Sequence, residues 1–292
     1  MARAANHDIE ITSRERVVFP HDGLTKGDLA DYYRLIAPAM LPFLAGRPVS
    51  LVRCPQGIAH CFFQKHHTPS FGPHVLSVEI EEKDGDIEPY LRIESAAGIL
   101  ECVQMGAVEF HLWGSRAPDV ERPDRMVFDL DPASTLAFAD LASAAREIGE
   151  RLEGRGLASF PMLTGGKGLH LVVPLTPRHS PRHSWDDHRA FAESFARELA
   201  EEQPERFTAT MSKQKRKGKI FIDWLRNTRG ATAIAPYSAR ARDGATLAAP
   251  VSWEELAGME ELKRYTLADA AELLKRAKAL KGWGEVEQYL PG

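Results

Sequence analysis

Met126-Val127-Phe128-Asp129-Leu130-Asp131-Pro132 reads as a short apolar strand that delivers two carboxylates at its end. Alternate residues of a strand face the same way, so Asp129 and Asp131 leave it on one side. Like charges held that close raise each other's pKa unless a cation lies between them. Oxygen donors of this kind suit hard divalent ions such as Mg²⁺ and Mn²⁺, usually shared with waters and substrate phosphates. Taken alone, an Asp-x-Asp before a proline is equally a solvated turn. The rest of the chain decides between the two.

Working outward, Val108–Leu112 and Met126–Leu130 read as adjacent strands joined by a polar, proline-containing loop. Upstream, Thr25-Lys26-Gly27-Asp28 has the spacing of a capping box, and a helical pattern follows to about Leu44. Short strand-like runs come at Val49–Arg53, Cys61–Gln64, Val75–Val78 and Tyr90–Ile93, and Ser95 caps a helix to about Met105. Downstream, Leu136–Leu152 and Trp185–Glu202 are amphipathic helices, with strands at Pro161–Leu163 and Leu169–Pro174 between them. Ile220–Trp224 is a strand, and helical patterns at Trp253–Leu256 and Leu267–Leu280 finish the chain. No repeat or low-complexity linker divides it. The expectation is one domain over residues 1–292, with an N-terminal subregion (about 1–105) set against a catalytic subregion (106–292).

The 292 residues, 43% of them hydrophobic, suffice for a substantial core. No apolar run approaches the ~20 residues that span a bilayer, and Met1–Asp8 lacks the apolar region of a signal peptide. Three cysteines (Cys54, Cys61, Cys102) make no disulfide framework. These readings predict a soluble cytoplasmic protein without a membrane partner. The net charge of −4 hides an asymmetry. Residues 206–242 hold ten Lys or Arg against the single acid Asp223, a local charge of +9 beside −13 elsewhere. Such clustering points to a polyanionic partner, although a solvated basic loop has the same composition.

Thr164-Gly165-Gly166-Lys167-Gly168-Leu169-His170 lies between two strands. Its glycines permit positive φ and close backbone approach, so successive N–H groups can form an anion-binding nest. Lys167 adds charge, the Thr164 hydroxyl a donor, and His170 follows on the exit strand. The spacing is not that of a Walker A loop, and a glycine-rich hairpin with an incidental lysine is the plainer alternative. Asp223 ends an apolar strand directly after Lys213-Gln214-Lys215-Arg216-Lys217. A third carboxylate among basic residues is what two-metal phosphoryl transfer requires, with Arg216 and Arg240 neutralising a triphosphate. A structural ion pair between Asp223 and Arg226 or Lys219 is the alternative. Phe62 and Phe63 precede Gln64-Lys65-His66. Neighbouring strand residues face opposite sides, so one ring is expected in the core, while an exposed one could stack on a base for roughly 1–3 kcal/mol. Cys54, His60, Cys61, His66 and His67 match no usual zinc spacing.

Together these blocks resemble the polymerase domain of bacterial DNA ligase D, within the archaeo-eukaryotic primase superfamily of non-homologous end joining. The resemblance runs from about Ile11 to Leu256 through Phe19-Pro20, Gly23–Lys26, Phe62–Lys65, Glu109–Trp113, Pro123–Pro132, Gly165–His170, Met211–Arg216 and Ala235–Arg242. It implies an α+β primase-polymerase fold: an RRM-like catalytic sheet packed with a second β-rich subregion and flanking helices. It implies Asp129, Asp131 and Asp223 as the catalytic, metal-binding triad for two Mn²⁺ or Mg²⁺ ions. His111, Thr164, Gly165, Gly166, Lys167, His170, Arg216 and Arg240 would hold an NTP or dNTP, with ribonucleotides favoured. Arg16 and Lys26 would receive the 5′-phosphate of a gap, Phe62 and Phe63 would stack on template bases, and Arg53 and Lys65 would flank them on DNA. Implied partners are DNA ends, gapped primer–template, Ku and an ATP-dependent DNA ligase, at the nucleoid.

Position 164 is usually Ser in that family, and Lys-Thr usually stands where Met162-Leu163 stand here. The 292 residues hold no ligase or nuclease region, which suggests an excised domain or a stand-alone relative. Two other functions fit parts of the pattern. A DNA-end-bridging module would need the basic segment and aromatics but not three aspartates, and a stand-alone primase would share every active-site residue.

Overall fold

The computed structural model describes residues 9–177 and 183–291; the N-terminal stretch read above for a signal peptide lies outside them. A two-stranded ribbon, Val17–Phe19 (β1) and Leu24–Thr25 (β2), leads into helix Lys26–Leu44 (α1). Thr25 caps that helix as its spacing predicts: the Asp28 N–H donates to its hydroxyl, and the Asp28 carboxylate accepts from the Thr25 N–H at 2.8 Å. Strands Pro48–Arg53 (β3), Phe62–Gln64 (β4), Val75–Glu81 (β5) and Ile87–Ile93 (β6) follow. Helix Ala96–Gln104 (α2), capped by Ser95, leads to strand Ala107–Trp113 (β7).

The second half runs Arg125–Pro132 (β8), Phe138–Glu153 (α3), Phe160–Leu163 (β9), Leu169–Pro174 (β10) and Trp185–Glu202 (α4). Short strands Phe207–Thr208 (β11), Ile220–Asp223 (β12), Thr232–Ile234 (β13) and Ala249–Pro250 (β14) come next. Helices Trp253–Ala257 (α5) and Ala270–Ala279 (α6) end the described elements.

Two six-stranded sheets result. One has the order β11-β12-β8-β10-β9-β14, and the other β13-β7-β3-β6-β5 with β4 hydrogen-bonded to β3. In the first, Met126, Phe128 and Leu130 alternate onto a fully buried face where the Phe128 ring meets Phe195 of α4 at 5.2 Å. The opposite face carries Val127, Met162 and Val172, which meet Ala233, Ile234 and Ala248 in an apolar patch. Asp129 and Asp131 extend that second face towards the end of β8. In the other sheet, Phe110 packs against Tyr33 of α1 with ring centroids 5.0 Å apart. The α+β architecture, a catalytic sheet and a second β-rich layer with flanking helices, is the one the sequence implies.

Four expectations are corrected. The consecutive strands β7 and β8 are not neighbours, because each joins a different sheet and their connection carries the chain between layers. Cys54 and Cys61 do form a disulfide. The chain reverses after β3 through Gly57 (φ +92°) so that Arg53 pairs with Phe62, which leaves the two cysteines facing across the mouth of the hairpin. Neither Phe62 nor Phe63 is in the core: they are 47% and 55% exposed, since β4 is a short strand held only by β3. Finally, the helical pattern expected from Leu136 starts at Phe138, and the one from Leu267 opens with a 3₁₀ turn before α6.

The segment 235–242 has no regular structure, yet buried side chains fix its path. The Tyr33 hydroxyl donates to the Val108 carbonyl (2.7 Å) and accepts from the Ala239 N–H (2.9 Å), while the Tyr32 hydroxyl donates to the Tyr237 carbonyl (2.6 Å). The Ser238 hydroxyl accepts from the Phe110 N–H, and Tyr237 is held at φ +67°, a conformation unusual for a bulky residue. Tyr33→Phe should therefore cost about 1–3 kcal/mol in urea denaturation, because it strands a buried N–H and a buried carbonyl. A loss below about 0.5 kcal/mol would contradict this account of the segment.

Candidate active site

The register of the first sheet builds an acidic wall. Asp223 of β12 stands directly opposite Asp129 of β8, and Asp129 directly opposite His170 of β10. Cross-strand partners share a face, so Asp223, Asp129 and His170 form a row with Asp131 two residues further along β8. Asp129 is buried, with its Oδ1 3.5 Å from His170 Nε2. Arg226 reaches across the row, its Nη2 3.4 Å from Asp129 Oδ2 and its Nε 3.6 Å from Asp223 Oδ2.

These surroundings split the carboxylates. Burial works against ionising Asp129, but His170 and Arg226 outweigh it and hold the carboxyl below its usual range. Asp131 is pushed up by burial and then by the charge of Asp129, which Lys167 and Arg216 only partly offset. Asp223 is likewise pushed up by burial, with Arg226 opposing and Asp129 adding to the rise. The wall thus holds more negative charge than its own cations balance. Among the described residues, no three acid, histidine or cysteine side chains converge closely enough to hold a metal ion as they stand.

The opposite wall is basic. The turn between β9 and β10 places Gly165 at φ +71°, where a Cβ would lie 2.9 Å from the Leu247 backbone. Gly168 passes so close to β8 that a Cβ would sit 2.7 Å from the Leu130 carbonyl oxygen and 3.4 Å from Asp131 Oδ1. A side chain there would intrude between turn and carboxylates. Arg240 donates from Nη1 to the Thr164 carbonyl (2.7 Å) and from Nε to Glu109 (3.2 Å). The Thr164 hydroxyl, expected as a donor to an anion, is spent inside the turn on the Gly168 carbonyl (2.9 Å). Lys167 Nζ donates to the Pro132 carbonyl at 2.8 Å.

Between the walls lies a cavity of about 500 Å³. It brings together His111, Asp129, Asp131, the Thr164–Gly168 turn, His170 and Arg240. Asp223 joins through its pairing with Asp129, and Arg216 adjoins by stacking its guanidinium 3.5 Å over Phe221, the cross-strand partner of Asp131. The sequence reading missed Arg242, Arg264 and Thr246, which also line the space, and Glu109 behind it. Arg242 counts in the basic window and ends the matched block Ala235–Arg242, but neither gives it a place in the site. Arg226, considered as an ion-pair partner of Asp223, is such a partner and pairs with Asp129 as well.

The residues proposed for DNA lie outside this cavity. Lys26 is buried at the start of α1, with Nζ donating to the Thr12 carbonyl (2.9 Å) and Gln104 Oε1 (2.6 Å). Its N–H donates to the Arg16 carbonyl, and burial followed by the Arg16 charge lowers its pKa. Arg53 stacks between Phe62 (5.3 Å) and Phe71 (5.5 Å). Phe63 meets His111 edge-on at 5.9 Å, and Lys65 is paired with Glu82 at 2.5 Å.

Residues 25–281 match the family model of the LigD primase-polymerase domain. The chain is 38% identical over 285 residues to the multifunctional non-homologous end joining protein LigD of Pseudomonas aeruginosa, covering 97% of this chain and 33% of that protein. It is 30% identical over 269 residues to the bifunctional LigD of Bacillus subtilis, covering 92% and 43% respectively. It therefore spans about a third to under half the length of these relatives. The polymerase domain of Mycobacterium tuberculosis ligase D, solved in complex with DNA, superposes with a TM-score of 0.85 at 34% identity, over 94% of this chain and 98% of that one. With the catalytic-sheet architecture, the family match and this superposition in agreement, the chain belongs to the LigD primase-polymerase domain family.

Proposed function

We propose that this chain is a template-directed nucleotidyltransferase. It adds nucleotides, ribonucleotides by preference, to primer 3′ ends and fills gaps at double-strand breaks in non-homologous end joining. One observation carries the reading: a single cavity has Asp129 and Asp131 on one side, with Asp223 paired to Asp129 on the next strand, and a glycine turn with Lys167 and Arg240 on the other. A nucleoside triphosphate needs the second wall for its phosphates, and transfer at its α-phosphate needs cations on the first. The donors Asp129, Asp131 and Asp223 are all oxygen, and Arg226 already stands as a cation against two of them, so a pair of Mn²⁺ or Mg²⁺ ions fits. When bound, such ions lower the pKa of the attacking hydroxyl and neutralise charge on the leaving pyrophosphate.

The protein's own part is to bind and orient. The Gly165 N–H, with Lys167, Arg216 and Arg240, holds the phosphates, while His111, Thr164, His170 and Gly166, whose N–H donates to the Thr164 hydroxyl at 3.3 Å, line the same space. The primer 3′-oxygen then bonds to the α-phosphorus as the bond to the β-phosphate oxygen breaks, and pyrophosphate leaves. Arg16 and Lys26 receive the 5′-phosphate beyond the gap. The nearness of the Arg16 charge to Lys26 at the start of α1, only partly offset by Glu15, supports an anion there. Phe62 and Phe63, exposed beside Arg53 and Lys65, stack on template bases. The same reading takes residues 1–292 as one domain, acting at the nucleoid with Ku and an ATP-dependent DNA ligase.

A labelled primer–template with a short gap and a downstream 5′-phosphate should be extended in Mn²⁺, more strongly with NTPs than with dNTPs. Asp129→Ala, Asp223→Ala or chelation should lower extension by at least roughly 100-fold while DNA binding persists. Extension that survives in either variant would refute the carboxylate assignment. Lys26→Ala should weaken binding to the 5′-phosphorylated gap by roughly tenfold and scarcely affect the same DNA without the phosphate. Equal losses on both substrates would give Lys26 a structural role instead.

A further inference from the structure

Glu109 is buried behind the cavity, and neither wall explains why a carboxylate should be there. It lies two residues before His111 on β7, so both side chains share a face. Its Oε2 is 2.8 Å from His111 Nε2, and its Oε1 accepts from Arg240 Nε (3.2 Å) and from the Ala241 N–H (2.7 Å). Burial would raise its pKa, but His111, Arg240 and the Ala241 N–H outweigh burial and hold it at about 2. Glu109 is therefore ionised at neutral pH and can only accept. Burial, with Arg240 and Arg226 nearby, lowers the pKa of His111 despite Glu109. Because Glu109 can only accept, the 2.8 Å contact places a ring hydrogen on Nε2 and leaves Nδ1 uncommitted to Glu109 on a residue that lines the cavity. Phe63 packs edge-on against the same imidazole, with ring centroids 5.9 Å apart.

We propose that Glu109 is a positioning residue for the incoming nucleoside triphosphate. From behind the cavity it holds the His111 ring and the Arg240 guanidinium as one unit, so that a His111 acceptor and an Arg240 donor meet the same ligand. This rests on the reading above that the cavity binds a nucleoside triphosphate. It extends that reading to a residue that touches neither nucleotide nor metal, and it ties the hairpin of Phe63 to nucleotide affinity.

The test uses the whole chain, Mn²⁺ and α,β-methylene-ATP in isothermal titration, with steady-state extension alongside. Glu109→Gln keeps the shape and removes the charge. It should raise the nucleotide Kd and KM by roughly tenfold, lower kcat by less than about threefold and leave gapped-DNA affinity unchanged. Combined with His111→Ala, it should add less than it does alone, since one of the two contacts Glu109 makes is then already gone. In the unmodified protein, histidine ¹⁵N spectra should show His111 as the Nε2–H tautomer, a measurement that needs no variant to fold. Unaltered nucleotide affinity in Glu109→Gln, or an Nδ1–H tautomer in the unmodified protein, would overturn the positioning role alone. Absence of nucleotide binding by the unmodified protein would overturn it together with the reading of the cavity.

Discussion

Asp129 and Asp223 face each other across neighbouring antiparallel strands, and Asp131 is two residues on. Like charges directly opposite on a sheet repel, and burial strengthens the repulsion by removing the water that would screen it. The repulsion is eased locally by Arg226 and His170, and it leaves Asp131 and Asp223 with raised pKa values. A cation bound between these carboxylates would relieve that repulsion. A ligand that brings both cations and phosphates can satisfy the carboxylates and the basic turn opposite at once.

The remainder of the fold supplies the rigidity that keeps the conflict in place. The apolar face of β8 is sealed against α3 and α4, so the strand cannot rotate its carboxylates away. Gly168 brings the turn close to the carboxylates because it has no side chain. Arg240 lies on an irregular segment, but Tyr32, Tyr33 and Ser238 fix that backbone from the core of the second sheet. The first sheet therefore contributes both the carboxylates and the Lys167 turn, the pinned segment adds Arg240, and the apolar patch of Val127, Met162 and Ile234 packs the two sheets together beside them. Met162, where a Lys-Thr pair usually begins in the family, is buried in that patch.

Much of this was legible in the sequence because it rests on local rules. Strand alternation put Asp129 and Asp131 on one face, the glycine spacing marked the turn, and Thr25 and Ser95 marked helix starts. What escaped depends on contacts distant in sequence. That β7 and β8 part into different sheets follows from pairings with β3 and β10, which no local pattern records. The Cys54–Cys61 bond requires the Arg53–Phe62 register. The exposure of both phenylalanines requires knowing that β4 has a single neighbour. Glu109 opens the matched block Glu109–Trp113, but no role follows from that block, because its partners Arg240 and Ala241 come from more than 130 residues away.

The most direct measurement is a crystal structure of the chain with Mn²⁺ and a non-hydrolysable ribonucleoside triphosphate. The account requires cations on Asp129, Asp131 and Asp223, phosphates on the 164–168 turn with Lys167 and Arg240, and Arg226 displaced from between the carboxylates. A triphosphate bound elsewhere, or one seated on the turn while Arg226 stays on Asp129 and Asp223 with no metal between them, would contradict it.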